Sequence, residues 1–174
     1  MIPRINAKPE KALREALYSV MRIEEDQVPP SLAALEDRER AEALGLAVII
    51  TGYVAVDACG SQWPVKTSVR RIAEDLATTG TLAKQLRLDP EEIYAYLWRT
   101  VFGRERLEDV ISDEPTFTRL PVIVASQALA VYAPKEMGMW DYLDRIEAAI
   151  ETASALDPVV LPAAVMRAYM PQPE

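Results

Sequence analysis

The chain of 174 residues has no histidine, one cysteine and six scattered glycines. Each shortage removes chemistry. Without histidine there is no imidazole base, no Ser-His-Asp or Cys-His arrangement, and the commonest zinc ligand is missing. A lone Cys59 excludes an internal disulfide and any CxxC metal or redox site, and it fits a reducing compartment. No glycine spacing matches a phosphate-cradling GxxxxGK[ST] loop or a dinucleotide-binding GxGxxG turn. Strand signals are also missing. No segment alternates apolar and polar residues over six positions, and no Asn-Gly or Asp-Gly marks a hairpin. There is no fixed-period repeat and no low-complexity tract. The first residues, MIPRINAKPEKAL, contain no apolar signal-type core.

Charge is unevenly spread. Residues 1–62 hold 7 basic and 10 acidic side chains, 63–106 hold 8 and 6, and 107–174 hold 4 and 11. Only the middle block favours a polyanion, and its excess of two is small. The acidic last third repels nucleic acid and anionic membranes. The longest apolar run, Leu44–Cys59, has 16 residues with Asp57 inside it. That is short of the roughly 20 needed to span a bilayer, so we read it as a buried core helix.

What is present is helical periodicity. Pro9 suits a first helical turn, and Leu13, Ala16, Leu17, Val20 and Ile23 follow on one face. Glu10/Arg14 and Lys11/Glu15 sit four apart on the other, expected exposed. This helix should stop before Val28-Pro29-Pro30. A second helix is predicted from Ser31 through Glu36–Glu42 into the apolar run, ending at Gly60. Gly45, Gly52 and Cys59 recur every seven residues and offer a seam for a neighbouring helix of this chain or of a second subunit. Further helices are predicted over Pro64–Thr79, Leu82–Arg87, Pro90–Gly103 and Pro115–Ala133. Another carries Trp140, Leu143, Ile146 and Ile150, and one more starts at Asp157-Pro158. The expected fold is all-α. It is a single-domain bundle of seven to nine helices around two apolar central ones, about 44–59 and 118–133. Ile49, Val56, Ile123 and Leu129 are expected to be largely buried.

One stretch has a recognisable spacing. Leu82, Ala83, Leu86, Leu88, Ile93 and Leu97 hold the apolar positions by which two helices of a helix-turn-helix pack, and Asp89-Pro90-Glu91-Glu92 starts the second. These 18 residues, 82–99, resemble the general helix-turn-helix pattern and point to no particular family. They depart from it twice. Arg87 stands where glycine usually makes the turn, so another turn shape is expected. Glu91, Glu92, Tyr94 and Ala95 stand where base edges would be read, and carboxylates there meet phosphate repulsion. Candidate contact residues for a partner or for DNA are Lys84, Arg87, Glu91, Tyr94, Arg99 and Arg104, with Arg106 a further cation.

Two other groups carry polar chemistry. Tyr53, Asp57, Cys59 and Trp63 form a candidate pocket. There Asp57 is expected on a dry helix end, either as a polar group in a small pocket, raised by burial and the helix dipole, or, paired with Arg70 or Arg71, as a structural salt bridge. Asp141/Asp144 and Asp144/Glu147 have the spacing of a hard-cation site, but the expected reading is a solvated helix face. No catalytic residue, cofactor or metal site is assigned. The expected function is a cytoplasmic, non-enzymatic protein–protein interaction or regulatory domain of adaptor or immunity type, with self-association as a homodimer one form. The alternatives are a helix-turn-helix nucleic-acid regulator and a helical ligand-binding protein or enzyme with a pocket at Asp57.

Overall fold

The computed structural model describes residues 5–22, 29–60, 62–103 and 114–155, with side chains over 119–151 in the last stretch. Among these residues the chain is a helical bundle without strands. The first helix, α1 (Ala7–Met21), starts at Asn6, whose side-chain oxygen accepts from the Lys8 amide at 3.3 Å. Pro9 lies in its first turn. Leu13, Ala16, Leu17 and Val20 are buried at the spacing the sequence predicts; Ile23 lies outside the described residues.

The single helix expected from Ser31 is interrupted. A short α2 (Pro30–Ala33) ends at Ala34, and α3 (Asp37–Ala58) begins anew. Three side chains explain the break. Glu36 and Glu39 form a reciprocal capping box at the start of α3. Arg40 folds back so that its guanidinium donates to the carbonyls of Leu32, Ala33 and Leu35 at 3.0, 3.2 and 2.8 Å. Those are carbonyls that the end of α2 leaves without helical partners. Gly60, with a φ of 68°, closes α3 as expected.

Next come α4 (Lys66–Thr78), α5 (Gly80–Leu86) and α6 (Pro90–Ala95). The last runs directly into a π-helical segment, Tyr96–Val101, with the Phe102 amide bonded to the Leu97 carbonyl five residues back at 2.9 Å. The sequence predicts an unbroken helix here. The wider turn brings Val101 onto α3, where a Cβ added at Gly52 would sit 3.3 Å from Val101 Cγ1. The glycine seam is therefore used at Gly52 by a neighbour in the same chain, whereas Gly45 faces open space. Gly103 ends the segment, and a side chain there would collide with the carbonyls of Arg99 and Trp98.

The remaining helices are α7 (Glu114–Tyr132) and α8 (Met139–Ala155); the helix expected at Asp157 lies outside the described residues. The two apolar helices form the centre, as predicted: α3 and α7 pack more extensively on each other than any other pair, and α1 lies against both. Val56, Ile123 and Leu129 are buried. Ile49 is only half-buried, because it shares with Gly45 and Val48 a side of α3 that the other described helices cover incompletely. With its polar first turns α3 has 22 residues, long and apolar enough to cross a membrane by length and composition, but most of that apolar window is buried inside the bundle.

Three buried polar side chains of α3 and α7 are matched, whereas the Tyr96 hydroxyl is buried without a hydrogen-bond partner among the described residues. Thr51 and Ser126 return their hydroxyls to the carbonyls four residues back, at 2.9 and 2.8 Å. Gln127 of α7, 2% exposed, donates to the Leu76 and Thr79 carbonyls at 3.0 and 2.5 Å. It caps the end of α4 from another helix.

Candidate functional site

The helix-turn-helix-like segment keeps its turn. Arg87 adopts the left-handed conformation, φ 50° and ψ 52°, contrary to the expectation of another turn shape. The amides of Arg87 and Leu88 both close on the Ala83 carbonyl, the latter at 3.2 Å. These bonds, with partial burial of Leu88 against the core, offset the roughly 1 kcal/mol a non-glycine residue loses there. Leu82, Ala83, Ile93 and Leu97 are buried as the pattern requires.

Part of the face that would read a base is tied to α4. Arg70 forms an ion pair with Glu91, and its guanidinium lies 3.8 Å from the centroid of the Tyr94 ring. Glu91 and Tyr94 thus belong to a packing contact between α4 and α6. Lys84, Arg87 and Arg99 are exposed; Arg104 and Arg106 lie outside the described residues. Exposed Glu92 and Asp89 remain beside them, Asp89 capping α6 by accepting from the Glu91 amide at 2.9 Å.

The four residues proposed to share a pocket are spread over different contacts. Asp57 is exposed rather than dry, and Arg70, one expected counter-ion, is engaged by Glu91. Its partner is Tyr142 of α8, whose hydroxyl donates to Oδ2 at 2.6 Å. One turn of helix carries Asp57 past the burying contacts that hold Tyr53, so a salt bridge with a buried acid does not form. Burial raises the Tyr53 phenol, with Asp57 adding to the effect. Burial likewise raises the Cys59 thiol against the opposing pull of Arg71, which leaves it a poor nucleophile. Trp63 packs edge-on against Phe102, centroids 5.6 Å apart.

A different site lies along the seam between α1 and α8, which run antiparallel. At one end, Tyr18 and Trp140 meet with centroids 6.2 Å apart, and the Arg22 guanidinium stacks on Tyr18 at 5.1 Å. Tyr18 is 47% exposed and Trp140 is half-buried. In the middle, Arg14 gathers three carboxylates. Its guanidinium pairs with Glu10 on its own helix and, across the seam, with Asp144 and Glu147, each at 2.5 Å. At the far end is a cleft of about 730 Å³ lined by Ile5, Asn6, Glu10, Asp144, Glu147 and Glu151 among others.

The Glu10/Arg14 pair, expected on an open face, is therefore half-buried in an inter-helix contact, and Asp144/Glu147 is more than a solvated face. Burial pushes the Glu147 carboxyl up to about 7 against the pull of Arg14, with Glu10 and Asp144 adding to the rise. Burial pulls on the Arg14 guanidinium in the opposite sense, but its bonds to Glu147 and Asp144 hold it above its ordinary value.

Comparison with protein-family models, with curated proteins and with solved structures finds no match for this chain.

Among the described residues no group of three or more Cys, Asp or Glu side chains is placed to hold a metal ion. The Tyr18–Trp140 pair escapes a reading of the sequence alone because its members are 122 positions apart. Arg22 four residues after Tyr18 is the one local signal.

Proposed function

We propose that the chain is a non-enzymatic protein–protein interaction domain, acting in the cytoplasm, that engages a polypeptide partner through the Tyr18–Trp140–Arg22 cluster. The observation that carries this reading is the meeting of those three side chains on the surface, from two helices distant in sequence. Trp, Tyr and Arg are the residues in which binding energy concentrates at protein interfaces. Tyrosine and tryptophan have only two side-chain torsions to fix, so little entropy is lost when a partner covers them. Among the described residues most large apolar side chains are buried, and Tyr18 is one of three that stand clearly exposed.

A photoreactive benzoylphenylalanine in place of Tyr18, expressed in the source cell, tests this. The expected result is a discrete protein adduct that disappears when Trp140→Ala is added. The same probe in place of exposed Lys11 should give none. Absence of an adduct at 18 refutes the reading.

Nucleic-acid binding is the second reading. The left-handed turn at Arg87 favours it, since it gives residues 82–99 the turn a helix-turn-helix needs. Against it stand Asp89 and Glu92 on the exposed surface and the tie between Glu91 and Arg70. A gel shift at physiological salt separates the two readings, and no sub-micromolar, sequence-specific shift is expected.

A further inference from the structure

We propose that the seam between α1 and α8 is a proton-operated clasp, in which uptake of one proton at Glu147 fastens α8 to α1 and its loss loosens it. The clasp stands whether or not the aromatic pair binds a partner. If the pair does bind one, the clasp sets when the composite Tyr18–Trp140 surface is assembled.

Three observations support it. First, the charges do not balance. Among the described residues Arg14 is the one cation in ion-pair contact with Glu147, and it also serves Glu10 and Asp144. With all carboxyls ionised, three negative charges converge on one guanidinium.

Second, Glu147 is the member that solvent serves least. Its side chain is 13% exposed, Oε2 faces Arg14, and Oε1 is buried without a hydrogen-bond partner among the described residues. A proton on this carboxyl removes a charge that neither water nor the protein fully compensates. The groups around it are Arg14 and Glu10 from α1 and Asp144 and Glu151 from α8; the nearest charge on α3 that these contacts reach is Glu42, which accepts from the cleft-lining Asn6 at 3.3 Å. Between 120 and 132, α7 carries no charged side chain, and its Tyr132 phenol donates to Asp75 instead.

Third, α8 is held to the core and to α1 by separate contacts. Its apolar residues, Leu143, Ile146 and Ile150, rest in the core with α3 and α7, while its hold on α1 is the polar seam and the Tyr18–Trp140 pair.

The direction follows from the raised carboxyl. A carboxyl lifted from 4.5 to about 7 by folding contributes stability that is complete below 4.5 and lost as pH rises through about 7. The clasp is therefore fastened in mild acid and loosened in mild alkali.

Hydrogen exchange of the full chain at pH 5.5 and pH 8, with the intrinsic pH dependence divided out, tests the clasp. The α8 amides should open at least about 10-fold more at pH 8, with roughly 30-fold as the ceiling that a shift from 4.5 to about 7 allows between these two pH values. The α3 amides should not change. Glu147→Gln should flatten the α8 response. If that variant does not fold, an NMR titration of the wild-type Glu147 carboxyl carbon decides: a midpoint at or above about 6 supports the clasp and a lower one overturns it. Equal α8 opening at the two pH values, or a pH response retained in Glu147→Gln, also overturns it.

Discussion

Gln127 joins the most buried helix to the end of another, and replacing it has a calculable cost. Its amide nitrogen reaches the carbonyls of Leu76 and Thr79 from a position 2% exposed. Each neutral hydrogen bond contributes about 1 kcal/mol net, and a buried carbonyl left unpaired costs about 1–3 kcal/mol. Thr79 is exposed, so water can take over its carbonyl. Leu76 is buried, so its carbonyl cannot be served as readily. Gln127→Leu fills nearly the same space and adds apolar burial, which offsets part of the loss. We expect a net cost of about 1–3 kcal/mol. Gln127→Glu is the sharper probe. At neutral pH it points a carboxylate at two acceptors in a dry site, and an uncompensated buried charge costs about 3–5 kcal/mol. In acid the protonated carboxyl can donate one bond again. Urea unfolding at pH 7 and pH 5 should therefore find the Glu variant less stable than the Leu variant at pH 7, and recovering at pH 5. A Leu variant within about 0.5 kcal/mol of wild type would refute the reasoning, since that is the scatter of uninvolved surface changes.

Other consequences can be checked alongside. Gly52→Leu should cost roughly 1–3 kcal/mol by forcing the π segment off α3, and sizing chromatography should find its oligomeric state unchanged, because the neighbour it displaces is Val101 of the same chain. Leu129→Ala opens a cavity in a fully buried position and should cost about 2–5 kcal/mol in chemical denaturation. Tyr142→Phe removes only the hydroxyl given to exposed Asp57, so it should cost about 1 kcal/mol and raise hydrogen exchange in α8 before other helices.

The helices were legible because their apolar residues keep a 3.6-residue period, and their ends were legible where Gly60 or Asp89-Pro90 marked them. The break between α2 and α3 was not. It contains no glycine and no proline after Pro30, and it depends on Arg40 folding back across eight residues. The π segment was equally hidden, because its register is set by Val101 finding Gly52 across the bundle. Gln127 did leave a mark, a lone amide in an otherwise apolar run, but its partners lie about 50 residues away. The same holds at the seam. Glu10/Arg14 and Asp144/Glu147 each read as an ordinary solvated pair until α1 and α8 are laid antiparallel. The candidate pocket failed for a related reason: Asp57 shares a side of α3 with Tyr53 but lies one turn further on, past the contacts that bury Tyr53.

Oxidative footprinting measures most directly whether Tyr18 and Trp140 form a contact surface. Labelling of the two residues is compared between the purified chain and the chain in extract of its source cell, with exposed Trp98 as the internal standard. Tyr18 and Trp140 should be protected in the extract while Trp98 is labelled equally in both. Equal labelling of all three in both settings would contradict this.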